Sequence, residues 1–273
     1  MQVSTRYRVL LPTSVSATVD AYFELLRAER IEFVRGFYLL GSVALADYQE
    51  GRSDIDFGAV IEGAPDHARV DRLARVHKAM GERTGPSFDG FYLEAHRLQC
   101  TPAAGELATF SLDGVFYRHA PCFECNPATW LLWAKRGLTL LGPPSNELQI
   151  SVDENALRRF EIENLEGYWR NWIKSASLQL ACKSEDEPVD ADTIAWGVLG
   201  VARIACMLTT GRVVSKTDAG IWAMERVGHE DGVVLGLALA ARRGGIREIS
   251  VKRGMRALDC METMISNAVA APR

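Results

Sequence analysis

Residues 37–60 read FYLLGSVALADYQEGRSDIDFGAV, and the fold turns on how this stretch is read. An apolar, aromatic-rich run suited to a β-strand ends at Gly41-Ser42. A polar loop follows, and a second apolar run resumes around Asp54 and Asp56. In a strand, residues two apart face the same side, so the aspartates project together while Ile55 turns into the core. Neighbouring carboxylates repel unless a cation lies between them. Hard oxygen ligands suit Mg2+, which keeps several waters and is usually shared with substrate phosphates. Gly41-Ser42 opens the short helix-compatible VALADY. Glycine lets a phosphate approach the backbone, and the Ser42 hydroxyl and the helix start can donate hydrogen bonds to it. A phosphate cradle beside metal-binding aspartates is the equipment of nucleotidyl transfer.

Outward from this stretch, the first half alternates helix and strand signals. SVSATVDAYFELLRAER and HARVDRLARVHKAMGERTG carry helical apolar spacing, the first with capping serines and the second closed by Gly85-Pro86. GFYLLG, IDFGAVI and FDGFYLEAHRL read as strands, and strand, helix, strand in this order implies a sheet layered with helices. LLGPPSNELQIS is a linker candidate, placing the boundary between residues 1–150 and 151–273. Beyond it, five segments of helical period with short connections describe a bundle.

Composition narrows the function classes. The 273 residues are 48% hydrophobic and 24% charged, the profile of a globular protein with a substantial core. A net charge of -4 and a pI near 5.8 give no electrostatic footing for nucleic acid and suit a cationic small molecule better. No signal-peptide core and no run of roughly 18 apolar residues is present, so the expected setting is cytoplasmic, with no membrane partner. Six cysteines are too sparse for a disulfide scaffold. His119, Cys122 and Cys125 could ligate a metal, but without a second pair they read as ordinary reduced side chains beside a strand.

LLGSVALADYQEGRSDIDFGAV resembles the signature of the nucleotidyltransferase superfamily built on the DNA-polymerase-β-like fold: Gly-Ser, a loop of about ten residues, then Asp-x-Asp. TTGRVVSKTDAGIWAMERV, with GVARI, NPATW and LLGPP, resembles the streptomycin/spectinomycin adenylyltransferases, the AadA-type resistance enzymes. The resemblance implies an α+β chain: a mixed sheet with helices, then an all-α bundle. It implies AMP transfer from ATP to an aminoglycoside hydroxyl by a monomer or weak homodimer. By the same resemblance, Ser42 and Ser53 with Gly41 hold the triphosphate, and Asp54 and Asp56 bind Mg2+. Arg203 and Lys216 reach the phosphates from the helical half. A third carboxylate is expected on a neighbouring strand as metal ligand and base. Glu94, in the strand after the helix, is preferred over Asp89, which stands beside Gly90 where a turn residue is the ordinary explanation.

Two residues of the helical half also stand out on local grounds. Lys216 falls in the first turn of a helix capped by Ser215, where a cation opposes the helix dipole unless an anion shares the spot. Arg203 lies in an otherwise apolar helix and needs an anion, a bundle carboxylate or a route to solvent. For the acceptor, the acidic CKSEDEPVDADT, which includes Asp192, with Trp196 three residues beyond its end, is the candidate contact, the plain alternatives being a solvated loop and a core tryptophan. Other expectations remain open: the same metal site serving a different small-molecule or protein acceptor, and a non-catalytic antitoxin-like relative.

Overall fold

The computed structural model of the chain describes residues 11–271, so part of the N-terminal stretch read for a signal sequence lies outside the described residues. Two compact units are present, Met1–Leu157 and Arg158–Arg273.

The first unit is organised by alternation along its strands. Strands β1 (Val34–Leu39), β2 (Ile55–Ile61), β3 (Phe88–Glu94), β4 (Leu107–Leu112), β5 (Val115–Pro121) and β6 (Leu138–Leu141) form one mixed sheet, ordered β5-β4-β3-β2-β1-β6. Only β2 and β3 run parallel, which is possible because a helix, α3 (His67–Gly81), carries the chain back between them. Odd-numbered β2 residues Ile55, Phe57, Ala59 and Ile61 join a core shared with α1 (Thr13–Ala28) and α3. The opposite face contributes Val60, Phe91 and Leu93 to a second core with Trp130 and Trp133 of α4 (Pro127–Arg136). Helix starts follow the capping chemistry: Asp66 accepts from the Arg69 amide ahead of α3, and Asn126 from the Thr129 amide ahead of α4, with Pro127 at its first position. The four-residue α2 (Gly41–Ala44) follows β1 directly.

The second unit is the expected bundle. Its first long segment is continuous but not uniform: α5 (Glu154–Glu163), whose first turn still belongs to the first unit, passes through a π-helical stretch, Asn164–Trp169, into α6 (Arg170–Ala181). The central α7 (Ala191–Thr210) is capped by Asp190, which accepts from the Thr193 amide, and ends on left-handed Gly211. Helices α8 (Lys216–Met224), α9 (His229–Arg242) and α10 (Val251–Ala270) pack around it. By length and composition α7 could cross a membrane, yet 61% of its most apolar window is buried within the protein, as befits a core helix. A short ribbon, β7 (Pro188–Asp190) with β8 (Glu248–Ser250), was not anticipated; part of the acidic run read as a loop candidate is therefore a strand.

Candidate active site

Gly41 and Asp56 define the centre of the site. Gly41 has φ +51, and a Cβ placed on it would lie 1.6 Å from Asp56 Oδ2. The carboxylate therefore rests on the bare backbone where α2 begins, and glycine is required by both conformation and space. The Leu40 amide donates to the Asp56 carbonyl at 2.8 Å, tying the end of β1 to β2 beside it. Ser42 follows, its hydroxyl oxygen buried and without a hydrogen-bond partner among the described residues. An unsatisfied buried hydroxyl is costly unless a ligand completes it. Ser53 closes the intervening loop: its amide donates to the Gln49 carbonyl at 2.9 Å, and its hydroxyl accepts from the Gln49 amide at 3.0 Å.

The acid that β3 places beside Asp56 is Asp89 and not the expected Glu94. In the parallel register Asp56 pairs with Asp89, whereas Glu94 pairs with Ile61 at the far end of the strand. Five residues separate the two acids, about 16 Å along β3. Five is also odd, so Glu94 takes the opposite parity, that of the α1–α3 face, while Asp89 shares the face of Asp56. The preference for Glu94 rested on the order of segments, which leaves pairing register undetermined.

Asp89 is 6% exposed. Its carboxylate accepts from the Ser87 hydroxyl at 2.9 Å on each oxygen and from the Asp113 amide at 3.0 Å on Oδ1. Burial pushes its pKa up to about 6; the Ser87 hydrogen bond pulls it down, and the charges of Asp54, Asp113 and Asp56 push it further up. Asp54, Asp56 and Asp113 therefore lie within electrostatic reach of Asp89. Among the described residues no three His, Cys, Asp or Glu side chains are gathered tightly enough to cage a metal. Asp54 is exposed and Asp56 half-buried, so an ion such as Mg2+ held there would retain water and complete its shell with phosphate oxygens.

In the second unit, Arg203 is exposed on α7, and Glu161 of α5 is the buried carboxylate in its field. Burial raises the Glu161 pKa to about 7, with Arg203 pulling it down. Lys216 lies in the first turn of α8, where the Ser215 hydroxyl accepts from the Asp218 amide at 3.0 Å and donates to the Asp218 carboxylate, as the capping pattern implied. Asp192 and Trp196 are both exposed on α7. Four and eleven residues from Asp192, Trp196 and Arg203 fall within about 40° of it around the helix, so the three share one stripe about 16 Å long. Trp196 is 40% exposed and sits against Trp169, Trp172 and the 54% exposed Tyr168, with ring centroids 4.8 to 6.3 Å apart. Neither Trp169 nor Trp172 was singled out from the sequence. Glycines at 197 and 200, whose missing Cβ positions those rings fill, are a signal that could have found them. Cys122 and Cys125 are buried free thiols. Phe116 and Tyr117 are strand residues stacking on His77 and Phe110.

Residues 171–267 match the family described as aminoglycoside adenylyltransferase, C-terminal domain. The fold is similar to the crystal structure of spectinomycin adenyltransferase AAD(9) from Enterococcus faecialis with ATP and spectinomycin, at a TM-score of 0.68 and 13% identity, covering 92% of this chain and 98% of that one. No curated protein matches the chain.

Proposed function

We propose that this chain, whose helical unit is an aminoglycoside adenylyltransferase C-terminal domain on a nucleotidyltransferase-type fold, moves AMP from ATP to a hydroxyl of an aminoglycoside-type acceptor. The observation that carries this reading is the register of Asp56 with Asp89, beside a Gly41-Ser42 turn whose hydroxyl lacks a partner among the described residues.

Asp54 and Asp56 would hold Mg2+, which when bound neutralises the charge of the triphosphate and of the departing group. Gly41 leaves room for the Asp56 carboxylate, and Ser42 Oγ donates to a phosphate oxygen. Asp89 accepts the proton of the acceptor hydroxyl. The acceptor oxygen then bonds to the α-phosphorus as the bond to the β-phosphate oxygen breaks. Pyrophosphate leaves with that electron pair. Ser53 supports the triphosphate by holding the loop ahead of Asp54.

For the acceptor, support comes from the α7 stripe: an exposed tryptophan face beside Asp192 suits a cationic, ring-shaped polyol. The setting is proposed as cytoplasmic, where ATP and such an acceptor meet. The test is purified protein with Mg2+ and ATP against a panel including spectinomycin and streptomycin, read by mass spectrometry. A drug heavier by one AMP, with one pyrophosphate released per drug modified, is the expected result. Pyrophosphate release with every drug unmodified would refute the acceptor assignment and favour another hydroxyl compound or a protein side chain.

A further inference from the structure

Asp89 is held by groups that have no part in the metal or nucleotide sites. Ser87 precedes it by two residues, in the segment entering β3, and its hydroxyl lies 2.9 Å from both carboxylate oxygens. The other donor comes from the β4–β5 hairpin. Leu112 pairs with Val115, leaving Asp113 and Gly114 as a two-residue turn with φ +51 and +74. Asp-Gly at positive φ is the type I′ pattern that matches strand twist, so the turn needs no functional explanation of its own. Its first amide, however, points out of the hairpin ladder, where water is the usual acceptor. Here it donates to Asp89 Oδ1 at 3.0 Å. The two oxygens are thereby made unequal: Oδ1 takes the amide and a share of the hydroxyl, Oδ2 only a share of the hydroxyl.

We infer that Ser87 and the Asp113 amide are positioning groups that fix the Asp89 carboxylate so that Oδ2 is the atom receiving the acceptor's proton. The inference rests on the proposed role of Asp89 as base. A single-bonded carboxylate rotates freely, whereas proton transfer needs a heavy-atom approach of about 2.6–3.2 Å at a defined oxygen. Two donors from different elements, one before β3 and one beyond β4, remove that rotation while leaving Oδ2 with only a share of the Ser87 hydroxyl. The β4–β5 hairpin acquires a catalytic duty although none of its side chains touches the reactants.

Two measurements separate this inference from the function it builds on. The first needs no substrate: amide hydrogen exchange at Asp113, with Gly114 as internal reference. The Asp113 amide should exchange at least about tenfold faster in Asp89→Ala than in the unaltered protein, because its only acceptor is gone. Equal rates would overturn the clamp. The second is the single-turnover rate of AMP transfer to spectinomycin, or to whichever panel drug is modified. Ser87→Ala should slow it about 10- to 100-fold, the loss of one hydrogen bond to a charged group, while the Michaelis constants for ATP and drug stay within about twofold and Ser87→Thr recovers most of the rate. A merely structural Ser87 would lower the melting temperature and leave the rate of the folded enzyme intact, overturning the inference. Unimpaired transfer by Asp89→Asn would instead refute the base assignment itself, whatever Ser87 does.

Discussion

Gly41→Ala isolates the contact at the centre of the site. Two costs follow from the coordinates. Alanine at φ +51 forfeits roughly 1–2 kcal/mol relative to glycine, a left-handed penalty with no dependence on neighbours. The new methyl would sit 1.6 Å from Asp56 Oδ2, against a closest tolerable approach of 3.0 Å, so the carboxylate must retreat by at least about 1.4 Å. Misplacing a reacting group by about 1 Å costs on the order of 100-fold in rate. The catalytic efficiency, kcat/KM, should therefore fall by about 100-fold or more, and the melting temperature by roughly 2–8 °C. Gly51→Ala is the matched control, since Gly51 also has positive φ, at +72, but nothing within 4 Å of its missing Cβ. It should lose comparable stability and keep its activity. Steady-state kinetics and thermal melts on both variants decide the matter. Equal damage by the two, or full activity in Gly41→Ala, would refute the claim that Asp56 must rest on bare backbone.

Three further outcomes are expected. Asp89→Asn should abolish AMP transfer while Glu94→Gln retains it, measured as pyrophosphate released per drug modified; the reverse pattern would restore the sequence-based choice. Chelation with EDTA should stop transfer and added Mg2+ restore it, and Asp54→Asn should lose Mg2+-dependent ATP binding in calorimetry; metal-independent binding in both forms would sink the metal assignment. His77 is buried against Phe57, Phe88 and Phe116, and burial depresses its pKa to about 3. The neutral ring is therefore the folded form, and its stabilising effect is complete above the ordinary value of 6.5 and lost as pH falls towards 3. Between pH 7.5 and 5 this group should remove roughly 2 kcal/mol, read as the difference between the urea midpoint shifts of the unaltered protein and His77→Phe, because the raised carboxyls of Asp89 and Glu161 act in the opposite direction in both.

What the sequence disclosed and what it concealed divide along a physical line. Local chemistry was legible: Ser215 as a cap, helical period in the second half and the strand character of β1, β2 and β3. Each depends on residues within a turn or two of one another. The third carboxylate was not legible, because which residue of β3 faces Asp56 depends on register between distant segments. Asp89 was discounted as a turn residue beside Gly90, yet Gly90 lies within the strand, where the Phe57 ring and carbonyl fill the place of its missing Cβ. The β7–β8 ribbon escaped for the same reason: three-residue strands 60 positions apart leave no periodic trace. The π-helical stretch between α5 and α6 keeps the apolar spacing of an ordinary helix closely enough to pass for one.

Gly58 extends the meaning of the Asp-x-Asp motif. It occupies the next place on the aspartate face of β2, and a methyl there would meet the Trp133 ring at 2.5 Å. Positions 54, 56 and 58 are thus acid, acid and void, the void being filled by an indole delivered from α4. Exchanges on that face of the strand would be felt as leverage: bulk introduced at residue 58 would lever α4 off the sheet and tilt the strand beneath the two acids. An inactivating change could therefore arise here without altering any group that meets substrate.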